Sequence, residues 1–102
     1  MSYEEDLNEE LLLALQSRDM GLMERLLDSG ADVNSVYDSF HYGGSSILMM
    51  AALHNNNEAV EILVKRGANK SFKNKYGVSV YDLVRNKCRE EDQEKLAIAL
   101  DA

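Results

Sequence analysis

The apolar residues of this chain fall into short helical patterns, each ended by a polar break or a glycine. In the best-defined stretch, Ser46 precedes apolar positions at helical spacing, and a small hydroxyl residue there predicts a helix N-cap. Residues 55–57, three asparagines, interrupt the pattern, and a second apolar run then stops at Gly67, as helices commonly do. A polar loop leads to Gly77, which follows Gly44 by 33 residues. The pattern predicts a helix, a tight turn, a second helix and a loop.

Similar patterns flank this stretch on both sides. Residues 7–15 predict a helix, and Asp19 predicts the cap of a second one that ends at Gly30. Near the other end, residues 90–100 are helical by pattern and composition. A strict 33-residue offset places Gln93 where the central unit has an apolar residue. We therefore expect a lengthened connection before the last helix.

Four short strings carry a resemblance to a known family. Residues 44–52 are similar to the Gly-x-Thr-Pro-Leu-His-x-Ala-Ala opening of an ankyrin repeat, whose period is about 33 residues, with Met49 in place of the histidine. Residues 60–69 are similar to the closing Val-x-Leu-Leu-Leu-x-x-Gly-Ala-Asp, and residues 30–34, Gly-Ala-Asp-Val-Asn, are the most specific match. Residues 77–85 resemble the opening of a final repeat. The chain thus resembles the ankyrin repeat family.

This resemblance implies an all-α solenoid of three helix-turn-helix repeats with projecting loops. We expect a single domain, residues 1–102, with repeats at about 7–43, 44–76 and 77–102. The first and last repeats resemble caps, whose outer faces are polar because no neighbour covers them. In the last repeat we assign this polar face to Glu90, Glu91, Glu94 and Lys95.

The first loop is longer than the second. Gly30 and Gly44 are 14 residues apart, whereas Gly67 and Gly77 are 10 apart. The longer loop holds three of the seven aromatic residues of the chain, and tyrosine is enriched at the energetic centres of protein interfaces. We expect exposed aromatic contacts there, although Tyr37 and Phe40 have the alternative of folding back onto the helix ends.

Charge and cysteine content narrow the class of protein. The 102 residues carry a net charge of −7, with a pI of about 4.7, which disfavours binding to nucleic acid. A single cysteine excludes an internal disulfide, and the N-terminus lacks the basic and apolar regions of a signal peptide, so we expect a cytoplasmic protein. No apolar run approaches the ~20 residues that cross a bilayer, so we expect no membrane contact.

The charge is unevenly distributed along the chain. Residues 1–43 carry a net −8, residues 44–77 a net +3 and residues 78–102 a net −2. The first repeat is therefore strongly acidic, whereas the second loop carries a basic group of Lys70, Lys73 and Lys75. Such polarity speeds association with a complementary partner and orients it. We expect the partner to be another protein, and the acidic charge leaves a basic one open.

The candidates for chemistry are few. His41 and His54 lack metal-ligand spacing with each other or with Cys88, and Asp38 with His41 forms a pair without a nucleophile. Gly44 ends a glycine doublet that lacks the lysine of a phosphate-binding loop. We therefore expect no enzyme activity, no cofactor and no metal.

The prediction for function is a non-enzymatic protein-binding module. In the ankyrin family, partners lie against the loop tips and the first helix of each repeat, which the resemblance places here at Tyr42, Ser45, Leu53, His54, Lys75, Tyr76, Val78, Asn86 and Lys87. The inserted loop adds Tyr37, Asp38, Phe40 and His41. Alanine at both Tyr37 and Tyr42 is expected to weaken binding by about 2 kcal/mol and to leave the melting temperature unchanged.

Two alternatives stay open. The first is an acidic inhibitor or immunity-type protein that blocks the nucleic-acid site of a nuclease or toxin, presenting Glu4, Glu5, Asp6, Glu9, Glu10, Asp19, Glu24 and Asp28 as phosphate-like charge. The second is self-association, because so short a stack leaves helical faces uncovered.

Overall fold

The computed structural model describes residues 3–38 and 44–102, with side chains from Leu7 onward. Six helices account for most of this part of the chain, as predicted. They are α1 (Tyr3–Gln16), α2 (Met20–Asp28), α3 (Ile47–Leu53), α4 (Asn57–Lys65), α5 (Val80–Lys87) and α6 (Glu90–Leu100). They form three consecutive helix pairs, so the prediction of an all-α, ankyrin-type solenoid of helix-turn-helix units is confirmed.

The helix starts follow from short polar caps. Asp19 accepts a hydrogen bond from the backbone N–H of Leu22 and caps α2, and Ser46 accepts one from Met49 and caps α3. Asn56 caps α4 in the same way. The predicted caps at Asp19 and Ser46 are thus confirmed.

The third helix pair keeps the strict spacing of the second, which corrects one expectation. α4 begins at Asn57 and α6 at Glu90, 33 residues later, so the connection before α6 is not lengthened. Gln93 takes the place equivalent to the buried Val60, and its side-chain amide donates to the backbone carbonyls of Cys88 (2.8 Å) and Arg85 (3.2 Å). A glutamine is tolerated at this position because it bonds the free carbonyls at the end of α5.

The core lies between the helix pairs and is centred on α3. α3 packs against both α4 and α5, and Ala51 and Ala52 are fully buried, as expected for small residues that let neighbouring helices approach. The largest fully buried side chains come from all three pairs: Leu11, Leu15, Met23, Ile47, Leu48, Met49, Leu63, Leu96 and Leu100.

The loops between the pairs project as hairpins. A short antiparallel sheet, β1 (Val36–Tyr37) with β2 (Ser45–Ser46), forms the base of the first hairpin, where the pattern had predicted helices alone. In the second loop, the N–H of Asn74 donates to the carbonyl of Val78 at 3.0 Å. Tyr37 pairs with Ser45 eight residues on, whereas Asn74 pairs with Val78 four residues on. The four additional residues of the first loop therefore lie between Tyr37 and Ser45.

Candidate functional site

The second hairpin presents one large aromatic side chain on a well-ordered turn. The side-chain oxygen of Asn74 accepts hydrogen bonds from the backbone N–H groups of Tyr76 (2.9 Å) and Val78 (3.1 Å). Asn74 itself is buried, and the N–H of Gly77 donates to its carbonyl. Tyr76 at the tip of this turn is 70% exposed, beside the exposed Lys75. The turn holds the tyrosine out from the fold at little further entropic cost.

The first hairpin holds its tyrosine differently. Tyr37 is half-buried, its hydroxyl donates to the backbone carbonyl of Asn8 in α1, and it shares a hydrogen bond of 3.0 Å with Ser35. Burial raises the pKa of the Tyr37 phenol above its usual value of 10.0, with smaller opposing and reinforcing effects from Ser35 and nearby carboxylates. We therefore expect Tyr37 to stabilise the fold, so that its replacement should lower the melting temperature as well as affect binding.

A shallow groove of 790 Å³ runs between α1 and β1. Its apolar part includes Leu12 and the exposed Val36, and its polar rim includes Glu9 and the exposed Asp38. It is lined in full by Asn8, Glu9, Leu12, Leu13, Val36, Tyr37 and Asp38. The structure thus brings the predicted residues Tyr37 and Asp38 together with apolar side chains of the first helix. We call the surface formed by the two hairpins the hairpin edge; it comprises the exposed Val36, Asp38, Lys75 and Tyr76 and the half-buried Tyr37 and Val78.

Four predicted site residues are not part of the hairpin edge, because one is buried and three lie outside the described residues. Ser45 in β2 is fully buried, because it lies at the base of the hairpin against the start of α3, so it is not available to a partner. Phe40, His41 and Tyr42 lie outside the described residues.

The other predicted residues lie at the opposite end of the first helices. Leu53 is half-buried at the end of α3, and His54, Asn86 and Lys87 are exposed at the ends of α3 and α5. The guanidinium of Arg18 donates to the carbonyl of His54 at 2.7 Å and thereby joins the first two helix pairs. A seven-residue helix spans about 10 Å, so this second patch is separate from the hairpin edge.

The acidic character of the first helix pair is largely uncompensated by ion pairs. Glu9, Glu10 and Glu24 are exposed, and none forms an ion pair with another described residue. Asp28 bonds Arg66 of the second pair at 2.7 Å, whereas Asp19 caps α2. Of the basic group in the second loop, Lys70 donates to the carbonyl of Leu100 at the end of α6. The side chains of residues 4–6 lie outside the described part.

The thiol of Cys88 is partly covered and points to a structural role. It donates a long hydrogen bond of 3.7 Å to the carbonyl of Ala52, and burial raises the pKa of the thiol, with a smaller contribution from Asp92. Within the described residues, no three carboxylate, thiol or imidazole groups come together as a metal site. Across the same part of the chain, no helix has both the length and the apolar character needed to cross a bilayer.

Three exposed apolar residues were missed from the sequence. Leu13, Val36 and Ile98 are exposed, although the outer faces of both terminal units were expected to be polar. The polar face assigned to α6 is indeed exposed at Glu90, Glu91, Glu94 and Lys95, but Ile98 accompanies it and borders a groove of 510 Å³ between α4 and α6. Ile98 corresponds to the exposed Lys65 one repeat earlier, which is a signal for its exposure, whereas Leu13 corresponds to the apolar Met50, which gives none.

Comparison with known proteins agrees with this architecture. The family model described as ankyrin repeats, in three copies, matches residues 11–90. A protein of Neofelis nebulosa described as ankyrin repeat, SAM and basic leucine zipper domain-containing protein 1 is 47% identical over 68 residues, which cover 67% of this chain and 14% of that protein. The protein of the same description in Loxodonta africana is 47% identical over 77 residues, or 74% of this chain and 15% of that protein. The chain matches only a small part of these larger proteins. From the family match and the three helix pairs, the chain belongs to the ankyrin repeat family.

Proposed function

We propose that this chain binds a partner protein through its hairpin edge, with Tyr76 as the main anchor. Ankyrin repeats are protein–protein interaction modules, and the observation that carries the finer proposal is the exposure of Tyr76 on a turn held by a buried asparagine. A tyrosine buries a large area on binding and has few torsions to immobilise. Because the turn is already ordered in the free chain, binding loses little further conformational entropy there.

The first hairpin supplies a different chemistry to the same edge. The groove between α1 and β1 combines apolar side chains with the carboxylates of Glu9 and Asp38. An apolar side chain on a basic segment of the partner fits this groove, while Lys75 beside Tyr76 favours an acidic group at the second hairpin. We therefore propose a partner whose contact surface is basic towards the first hairpin and acidic towards the second.

The test compares two exposed tyrosines of the same chain. The partner is first captured from a lysate of the native source and identified, and its affinity is then measured by calorimetry for wild type, Tyr76→Ala and Tyr81→Ala. Tyr81 is also exposed but lies at the start of α5, outside the hairpin edge. We expect Tyr76→Ala to weaken binding by tenfold or more, on the order of 2 kcal/mol, and Tyr81→Ala to leave it unchanged.

The variants must also be checked for folding. Neither tyrosine hydroxyl has a hydrogen-bond partner within the described residues, so the melting temperatures of both variants should match wild type within the effect of a surface change. An affinity that Tyr76→Ala leaves unaltered, or that both variants lower equally, would remove the hairpin edge from the proposal.

The second candidate function is an acidic inhibitor of a nucleic-acid-binding protein. It is supported by the exposed carboxylates of Glu9, Glu10 and Glu24, which no described basic group neutralises. Such a complex would weaken steeply with added salt and would be displaced by DNA or RNA. Glu10→Gln and Glu24→Gln together, which leave the groove residue Glu9 in place, should then reduce affinity more than Tyr76→Ala. The opposite order supports the hairpin edge.

A further inference from the structure

Equivalent positions in the three helix pairs differ in burial, and the differences identify the faces at the two ends of the described stack. The second helices begin at Met20, Asn57 and Glu90, so equivalent residues are 37 apart between the first two pairs and 33 apart between the last two. At one such position Leu11 is 0% exposed, Leu48 is 1% exposed and Tyr81 is 45% exposed. This position is buried in the two pairs that another described pair follows, and Tyr81 occupies it on the corresponding face of the third pair.

Arg85 shares the surface of Tyr81. It lies four residues later on α5, on the same helix face, and it is exposed where its counterparts Leu15 and Ala52 are buried. Tyr81 and Arg85 therefore form what we call the C-terminal end face. It combines an aromatic ring with a positive charge.

The opposite end shows the converse pattern. Leu13 is 59% exposed, whereas its counterpart Met50 is half-buried and its counterpart Leu83 is only 4% exposed. Glu10 is likewise exposed where its counterpart Ile47 is buried. These positions are covered wherever a pair precedes, so Glu10 and Leu13 form the N-terminal end face. They lie three residues apart on α1 and combine an apolar side chain with a negative charge.

We propose that the N-terminal end face of one molecule stacks on the C-terminal end face of a second copy, continuing the solenoid. At the junction of the second and third pairs, the positions of Tyr81 and Leu13 are taken by Leu48 and Leu83, both buried. A second copy placed with the same repeat geometry covers Tyr81 with Leu13.

The charges of the two end faces are also complementary. The positions of Arg85 and Glu10 correspond, at that same internal junction, to Ala52 and Val80, which are both buried. An Arg85–Glu10 ion pair between copies would thus join two positions that are apolar and buried inside the stack. Opposite charge at these positions selects a second copy in head-to-tail orientation and opposes head-to-head and tail-to-tail pairing. Because each molecule keeps one unused face, association continues beyond the dimer.

Sedimentation equilibrium of the purified chain over a range of concentrations tests this proposal. We expect the average mass of the wild type to rise with concentration and to fall when salt is added. Glu10→Arg and Arg85→Glu alone should each weaken association by tenfold or more, because two like charges then meet. An equimolar mixture of the two variants should associate again, because opposite charges then meet at both kinds of junction. At one junction the native Arg85 meets the native Glu10, and at the other the introduced glutamate at position 85 meets the introduced arginine at position 10.

Three controls keep the outcome unambiguous. Lys95→Glu changes an exposed charge on α6, outside both end faces, and should leave association unchanged. Tyr76→Ala should associate as wild type does, which separates this proposal from the one for the hairpin edge. Circular dichroism and melting temperature should show that the two charge-reversed variants are folded. A wild type that stays monomeric at high concentration, or a mixture that associates no more than its components, would overturn the proposal.

Discussion

The two hairpins occupy equivalent places in consecutive repeats but are stabilised in different ways. The second is closed by contacts within five residues, all involving Asn74. The first has four more residues between its paired positions, and Tyr37 at its base bonds the backbone of Asn8, 29 residues earlier in the chain. The turn of the second hairpin thus satisfies its own backbone groups, whereas the first hairpin is joined to α1 through the side chain of Tyr37. Removing the local asparagine and the distant tyrosine contact should therefore have separable effects.

The largest effect is expected for Asn74→Ala. The change leaves the backbone N–H groups of Tyr76 and Val78 without their acceptor in a partly buried turn, at a cost of about 3 kcal/mol in unfolding free energy. Urea denaturation measures this loss. Asn86→Ala, at an exposed position on α5, is the matched control and should change stability by less than about 0.5 kcal/mol. Equal effects of the two substitutions would contradict a special role of Asn74.

Gly77→Ala should destabilise the same turn by a smaller amount of unfolding free energy. Gly77 has a φ of 75°, and an added Cβ meets no atom within 4 Å, so the cost is backbone strain alone, about 1.5 kcal/mol. Gly21→Ala within α2 is the control of opposite sign, because alanine favours a helix by about 0.5–1 kcal/mol over glycine. Thermal and urea unfolding of both variants should move in opposite directions. If both are destabilised to the same extent, strain at Gly77 is not the cause.

Tyr37→Phe should destabilise the first hairpin by about 1 kcal/mol near neutral pH, since it removes the hydrogen bonds to Asn8 and Ser35. The raised pKa of Tyr37 adds a pH dependence. The folded chain keeps the phenol neutral while the unfolded chain ionises it near 10.0, so this stabilisation is complete below that pH and is lost as the pH rises towards the folded pKa. The difference in unfolding free energy between the wild type and Tyr37→Phe should therefore become smaller above about pH 10.

The exposed Tyr76 provides the control for that experiment. Tyr76→Phe should leave the unfolding free energy unchanged near neutral pH, because its hydroxyl bonds no other described residue. Stability measured by urea denaturation at several pH values separates the two tyrosines. A stability of Tyr37→Phe equal to that of wild type would show that the contact with Asn8 does not stabilise the hairpin.

The smallest expected effect concerns the N-caps of α3 and α5, the helices that follow the two hairpins. Ser46 caps α3 alone, whereas Ser79 and Asp82 cap α5 reciprocally, and the backbone N–H of Ser79 donates to the carboxylate at 3.0 Å. This bond, with that of the Ser79 hydroxyl, lowers the pKa of Asp82 below 3.8. The stabilisation is present above that value and is lost as the pH falls through the folded pKa. Asp82→Asn should lack this acid dependence, which denaturation between pH 2 and 6 measures.

Most helix ends of this fold were predictable because their signals are local. Ser46, Asp19 and the glycines that follow α2 and α4 each act within four residues, and the predicted final helix at residues 90–100 matches α6. The positive φ of Gly30 and Gly67 follows from the same local rule. Of the candidate site, repeat position placed Tyr76 and Lys75 at a loop tip, and both are exposed in the structure.

The sequence by itself determined the repeat, the helices, their caps and the unequal lengths of the two loops. Only the tertiary structure decided that Ser45 is buried, that Tyr37 bonds Asn8 and that Gln93, half-buried, bonds the carbonyls at the end of α5. It also decided that Leu13 and Tyr81 are exposed where their counterparts in neighbouring repeats are covered. The physical reason is the sequence separation over which each kind of interaction acts. Caps and turns depend on residues a few positions apart, whereas burial depends on neighbours roughly one repeat away, which a stack provides on both sides only in its middle.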